Sequence, residues 1–173
     1  MARILVVDDH DDARYLLSTI FASRGHDVVE ASNGAEGLRA AEQHRPALVV
    51  SDVLMPVMDG FEFCGRLREM PGMRDIPFVF YTATYTRPDE RRFALSVGAN
   101  HYFEKPTDPS QLLGTVESLL SSGGEESPRV AQLPREEFEE QHLSIVSRKL
   151  EQKVAELEQA NAELRAGEAR LGQ

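Results

Sequence analysis

Short apolar runs alternate with helically spaced segments along residues 1–120. Residues 2–7, ARILVV, form a continuous run of Leu and β-branched residues, as in a strand buried on both faces. Residues 13–25 follow with Leu16, Leu17, Ile20 and Phe21 at helical spacing and Gly25 as a stop. Residues 26–31 (HDVVEA) predict a short second strand, and residues 33–44 a second helix around Leu38 and Ala41. The pattern then repeats. Strands are predicted over 47–52, 76–83 and 99–105, and helices over 61–70, 89–98 and 108–120. Asp108 and Pro109 open the last helix as cap and first helical residue.

Five strand–helix units with short connections predict an α/β fold, a parallel sheet covered by helices on both faces. At this length the expected version is the doubly wound five-stranded sheet, flavodoxin-like, with strand order 2-1-3-4-5. An eight-stranded barrel needs about twice the residues.

The texture changes after residue 120. Residues 121–134, SSGGEESPRVAQLP, read as a flexible linker between a first domain over 1–120 and a helix over 135–173. In that helix Leu143, Leu150, Leu157, Leu164 and Leu171 recur every seven residues. With the leucines at the d positions of a heptad, Ser147, Val154, Asn161 and Glu168 fall at a. Lys153 at g then faces Glu158 at the following e of a parallel partner. The expectation is a coiled coil that makes a homodimer through residues 143–171, a rod of about 43 Å at 1.5 Å per residue. The alternative is a lone amphipathic helix packed back on the domain.

Composition narrows the class. The chain has 173 residues, 41% apolar and 28% charged, as in an ordinary globular protein. No apolar stretch is long enough for a membrane span, and the N-terminal MARILVVDDHDD lacks the apolar core of a signal peptide. A single cysteine, Cys64, excludes an internal disulfide and fits a cytoplasmic location; its place on a helix face near Phe61 reads as core. A net charge of −10 argues against direct nucleic-acid binding. The histidines are scattered without paired spacing, and no GxxxxGK[ST] phosphate loop is present.

Open parallel sheets bind ligands at the carboxyl ends of their strands. The first strand ends on Asp8 and Asp9, the third on Asp52, the fourth on Tyr81 and Thr82, and the fifth on Lys105 before Pro106. Taken singly, each has a plain structural use: a helix cap, a strand residue, a solvated loop lysine. Together they bring three carboxylates, a hydroxyl and an ammonium to one edge. Three close carboxylates need a cation, and an all-oxygen set suits Mg²⁺, with Mn²⁺ as the alternative. An Asp carboxylate can attack phosphorus and become an aspartyl phosphate. Cations and a hydroxyl donor would steady the equatorial oxygens in that transfer.

These pieces carry a resemblance. ILVVDD (4–9), SDVLMPVMDG (51–60), FYTA (80–83) and GANHYFEKP (98–106), in that order and spacing, resemble the receiver (CheY-like) domain of two-component response regulators. The resemblance implies a phosphoacceptor at Asp52, charged by a histidine kinase or a histidine phosphotransfer protein. It implies a metal held by Asp8, Asp9, Asp52 and the backbone carbonyl of Leu54. It makes Thr82 and Lys105 the phosphoryl contacts, Tyr102 the aromatic that moves with Thr82, and Lys105–Pro106 a cis bond. The fourth helix and the fourth and fifth strands become the readout surface. Leu54 and Thr84 flank the route of an attacking water; an apolar Leu54 cannot orient it, so slow self-dephosphorylation is expected.

The resemblance covers residues 1–120, and no helix-turn-helix follows. ANAELRAGEARL (160–171) is similar to the coil that leads into PAS domains of hybrid signalling proteins. The expected function is a phosphoacceptor switch rather than a conventional enzyme, signalling through a dimeric coil. The alternatives are a non-switching dimeric scaffold, or the input module of a larger hybrid sensor with PAS or kinase output. A flavin site is disfavoured by the acidic DDHDDA after the first strand. A haloacid-dehalogenase-type phosphatase would require an Asp-x-Asp motif, absent at residues 8–10.

Overall fold

In the computed structural model, residues 2–83, 87–105, 108–121 and 134–171 are described. Five strands, β1 (Arg3–Val7), β2 (Asp27–Ala31), β3 (Leu48–Ser51), β4 (Phe78–Thr82) and β5 (His101–Glu104), alternate with α1 (Asp11–Ser23), α2 (Gly34–His44), α3 (Gly60–Glu69), α4 (Pro88–Ser96) and α5 (Pro109–Ser121). A long helix, α6 (Arg135–Leu171), follows. All neighbouring strands pair in parallel, in the order β2-β1-β3-β4-β5. The expected sheet order holds, and element ends differ from the sequence reading by at most two residues.

The β-branched runs serve two layers at once, because side chains alternate across a strand. Ile4, Val6, Leu48, Val50 and Val79 point to the face covered by α1 and α5. Leu5, Val7, Val49, Phe78 and Phe80 point to the face covered by α2, α3 and α4. Cys64 is fully buried in that second layer, as expected. Leu16 is not in the core: Leu17 and Phe21 carry the inner face of α1, and Leu16 is 57% exposed. Its neighbour in sequence wins because the apolar stripe of a helix is about 100° wide, and Leu16 lies past its edge.

The β3–α3 connection turns sharply. Met58 N–H donates to the Pro56 carbonyl at 2.7 Å, around Val57 at φ 70°. A β-branched residue in this region is strained, and Val57 is exposed beside the acidic edge of the sheet. Asp59 then caps α3 by accepting from Glu62 N–H at 3.0 Å. At the other end of the chain Asp108 opens α5 as expected, accepting from Ser110 N–H at 2.9 Å.

The amino-terminal half of α6 packs on the domain. Ile145 is buried in the layer of α3 and α4, with Phe138 and Val146 against the same cluster. Phe138 meets Phe93 of α4 at 5.6 Å between ring centroids and stacks on His142 at 5.2 Å. Phe138, His142, Ile145 and Lys149 recur at helical spacing and form this docked face. The leucines do not belong to it. Leu143, Leu150, Leu157 and Leu164 are half or more exposed, on a stripe about 100° further round the helix. The alternative of a helix packed back on the domain therefore holds for the first half of α6, through residues other than the leucines. From Val154 to Ala166 every residue is exposed. The side chain of Leu171 and nearly all of the expected linker, 122–133, lie outside the described residues.

Candidate functional site

Parallel register builds the site. Val7 pairs with Ser51, so the next residues, Asp8 and Asp52, leave adjacent strands side by side. Asp52 N–H donates to the Val7 carbonyl at 2.9 Å, and Asp8 N–H to the Ala31 carbonyl at 3.1 Å. Thr82 pairs with Glu104, so Lys105 follows it on the neighbouring strand, its N–H donating to the Thr82 carbonyl at 2.7 Å. Each side chain is thus positioned by a backbone hydrogen bond of the sheet.

The five predicted groups converge. Ligand atoms of Asp8, Asp9, His10 and Asp52 lie within 4.8 Å of one another. Lys105 Nζ stands 3.1 Å from Asp8 Oδ2 and 5.0 Å over the centre of the Tyr81 ring. The Thr82 hydroxyl is hydrogen-bonded to the Asp52 carboxylate, and Val53 N–H donates to Asp52 Oδ1 at 2.7 Å. Asp8, Asp52 and Thr82 are buried. Burial first, and then the charge of Asp8, push the Asp52 carboxyl up to about 6; Lys105 and the two hydrogen bonds oppose the rise. Asp8 and Asp9 do not cap α1: His10 is at the cap position and makes no side-chain cap bond.

The donor set fits a hard divalent cation. Asp9 Oδ1 is buried, and although His10 Nδ1 stands 3.2 Å away, it accepts no well-formed hydrogen bond among the described residues. The like-charge pressure on Asp52 is what a cation among these oxygens would relieve. Asp8, Asp9 and Asp52 would hold Mg²⁺, which favours oxygen over the His10 imidazole.

Leu54 lines the same pocket. Tyr102 is buried in the same cluster as Phe61 and Phe93, its ring 5.9 Å from that of Phe80 and inclined to it by 48°. Thr84, Pro106 and the expected cis bond lie outside the described residues.

Some participants escaped the sequence reading. His10 stands 3.2 Å from both Asp8 and Asp9, and its adjacency to the acid pair was the available signal. Three further contacts join α6 to the site's surroundings. His142 Nε2 is 2.6 Å from Asp59 Oδ2, and this bond raises the imidazole pKa. Arg148 reaches Asp89 at 2.9 Å and Glu90 at 3.3 Å. Lys149, fully buried, meets the buried Glu90 at 2.8 Å in the first turn of α4. No periodicity pairs Glu90 with a lysine 59 positions later, so sequence alone had no signal for this bond.

The same architecture and motifs occur in known proteins. The family model described as response regulator receiver domain matches residues 4–117. The chain is 46% identical over 114 residues to an uncharacterized 14.6 kDa protein of Leptolyngbya boryana, covering 66% of this chain and 86% of that one. It is 34% identical over 121 residues to the protein PilH of Pseudomonas aeruginosa, covering 70% and 99%. Among solved structures it is similar to the chemotaxis protein CheY4 of Vibrio cholerae, with TM-score 0.64, 36% identity, and coverage of 68% and 98%. Several transcriptional regulators also match, and the chain spans about half their length. No described helix is long and apolar enough to cross a membrane. Matched over two thirds of its length in sequence and fold, and carrying the acidic edge described above, the chain belongs to the response regulator receiver domain family.

Proposed function

We propose that Asp52 is the phosphoacceptor of a two-component switch, supplied by a histidine kinase or a histidine phosphotransfer protein. The observation that supports this most directly is the convergence of Asp8, Asp9, Asp52, Thr82 and Lys105 at one sheet edge. A scaffold needs no such set. In the transfer, an Asp52 oxygen attacks phosphorus. The bond to the donor nitrogen breaks, and its electron pair stays on the donor imidazole, which keeps or gains a proton. Bound Mg²⁺ would supply positive charge at the equatorial oxygens. Lys105 adds an ammonium on the Asp8 side, and Thr82 offers a hydroxyl already at Asp52. Thr82 and the buried Tyr102 then shift together, and the change is read on α4, β4 and β5.

The downstream element of this reading is α6. Its exposed stripe of Leu143, Leu157 and Leu164, joined by the half-exposed Leu150 at the rim of the pocket over Asp52, suits a parallel homodimer. Light scattering should give twice the monomer mass for the wild type and the monomer mass for Leu157→Asp with Leu164→Asp. A monomeric wild type would remove the dimer from the proposal.

The switch itself is tested with acetyl phosphate and Mg²⁺. Mass spectrometry should find one added phosphoryl group on Asp52, absent in Asp52→Asn. No uptake by the wild type would favour the scaffold. The apolar Leu54 at the pocket predicts a phosphoryl half-life of minutes or longer; decay within seconds refutes that part.

A further inference from the structure

The pocket over Asp52 has a wall that the receiver family match does not include. That match ends at residue 117, yet Val146, Leu150 and Lys153 of α6 line the pocket together with Asp52, Leu54 and Lys105. Helix α6 is held there by the Lys149–Glu90 pair, by Arg148 on Asp89, and by His142 on Asp59. Lys149 and Lys153 lie one turn apart, so the buried lysine fixes where the exposed one stands. The pocket volume of about 950 Å³ admits a small phosphodonor with α6 in place.

The charge balance at this mouth is adverse for any phosphodonor. Asp9, Asp11, Asp12 and Asp59 line it beside Asp52, and the donor is itself an anion. Lys105 is committed to Asp8 on the inner side. Lys153 is the other ammonium among the lining residues, and it comes from α6 rather than from the sheet edge.

We propose that α6 completes the phosphorylation pocket and that Lys153 is a donor-binding residue, drawing the anionic phosphodonor past the acidic mouth toward Asp52. The proposal rests on the reading of Asp52 as phosphoacceptor. It makes uptake depend on a helix outside the receiver domain, so the output element also sets how readily the switch is charged. Binding and docking are then reciprocal: a donor that favours Lys153 in the pocket favours docked α6.

The test uses the full chain, acetyl phosphate as the donor, and saturating Mg²⁺. Lys153→Glu should slow phosphoryl uptake about fivefold at low ionic strength, shrinking to less than about twofold near 0.5 M salt. The loss should appear as a weaker dependence on donor concentration, with the rate at saturating donor unchanged. Lys153→Arg should retain the wild-type rate. Arg165→Glu makes the same charge change on the exposed far part of α6, and should leave uptake unaltered. Uptake by Lys153→Glu equal to that of Arg165→Glu overturns the proposal while leaving Asp52 as acceptor. Absence of uptake by the wild type overturns both.

Discussion

Replacing Asp52 by Asn should stabilise the metal-free protein. Asp52 is 7% exposed, with the Asp8 carboxylate beside it, and its carboxyl is held at about 6 against an ordinary 3.8. At about 1.4 kcal/mol per pH unit, this gap is roughly 3 kcal/mol of destabilisation when Asp52 is ionised. Because the folded pKa lies above the unfolded one, the folded protein binds more protons between 3.8 and about 6. The destabilisation is therefore complete above about 6, falls to roughly half near pH 5, and vanishes below 3.8. An Asn side chain can keep its oxygen for Val53 N–H and offer its amide N–H to the Thr82 hydroxyl oxygen, in poorer geometry than the carboxylate, so the net gain is about 1–3 kcal/mol at pH 7.5. Urea denaturation with a chelator present measures it, as a midpoint raised by about 1 M at unchanged slope. The difference between the two proteins should shrink on going to pH 5. Adding Mg²⁺ should raise the wild-type midpoint and leave the variant's nearly fixed, because only the folded acidic cluster binds the ion. An Asp52→Asn protein less stable than wild type at pH 7.5, or a gain independent of pH, would refute the electrostatic account.

Two further substitutions probe the framework around the site. Lys149→Met leaves the buried Glu90 carboxylate with Arg148 at 3.3 Å as its remaining cationic partner among the described residues, a loss of about 3–5 kcal/mol. Amide hydrogen exchange over 138–149 should accelerate while β1, β3 and β4 stay protected; unchanged exchange in α6 would show that this ion pair does not hold the helix. Gly60→Ala is expected to be costly at the other wall. A methyl there would overlap the Asp52 carbonyl oxygen and come to 2.8 Å from the Phe80 ring. A cost of about 1–3 kcal/mol and at least about tenfold slower phosphoryl uptake should follow. Gly114→Ala, in an open stretch of α5, should instead be neutral or stabilising by under about 1 kcal/mol, and equal effects at both positions would contradict the packing argument.

The receiver part was legible because its signals are local. A β-branched run such as ILVV can only satisfy both faces inside a covered parallel sheet. Once the sheet is parallel, strand ends gather on one edge, so acids in DD, SD and a Lys before Pro were found without any knowledge of distances. Leu16 misled because a helical stripe has a width, and position on its rim depends on which neighbours arrive. His10 was passed over because a single histidine has no spacing to read. Arg68 was invisible for a similar reason: it is buried and donates to the carbonyls of Gly98, Ile76 and Met73, partners that only the folded chain assembles.

Helix α6 divides the two kinds of information most clearly. Its existence and its leucine stripe follow from periodicity, and its start near Arg135 from the end of the Ser/Gly/Glu/Pro-rich stretch before it. What it touches does not. The heptad pattern offers Lys153 to a second chain; the fold also sets it among the residues lining the pocket that holds Asp52. Docking depends on Phe138, Ile145 and Lys149 meeting Phe93 and Glu90 across dozens of intervening residues. The sequence by itself determined the alternation of strands and helices, the edge on which the acids meet and the length of the final helix, because these rest on short-range periodicity. Only the tertiary structure decided which face of that helix is buried and which of its residues line the pocket that Asp52 shares, because those depend on long-range pairs that no local pattern encodes.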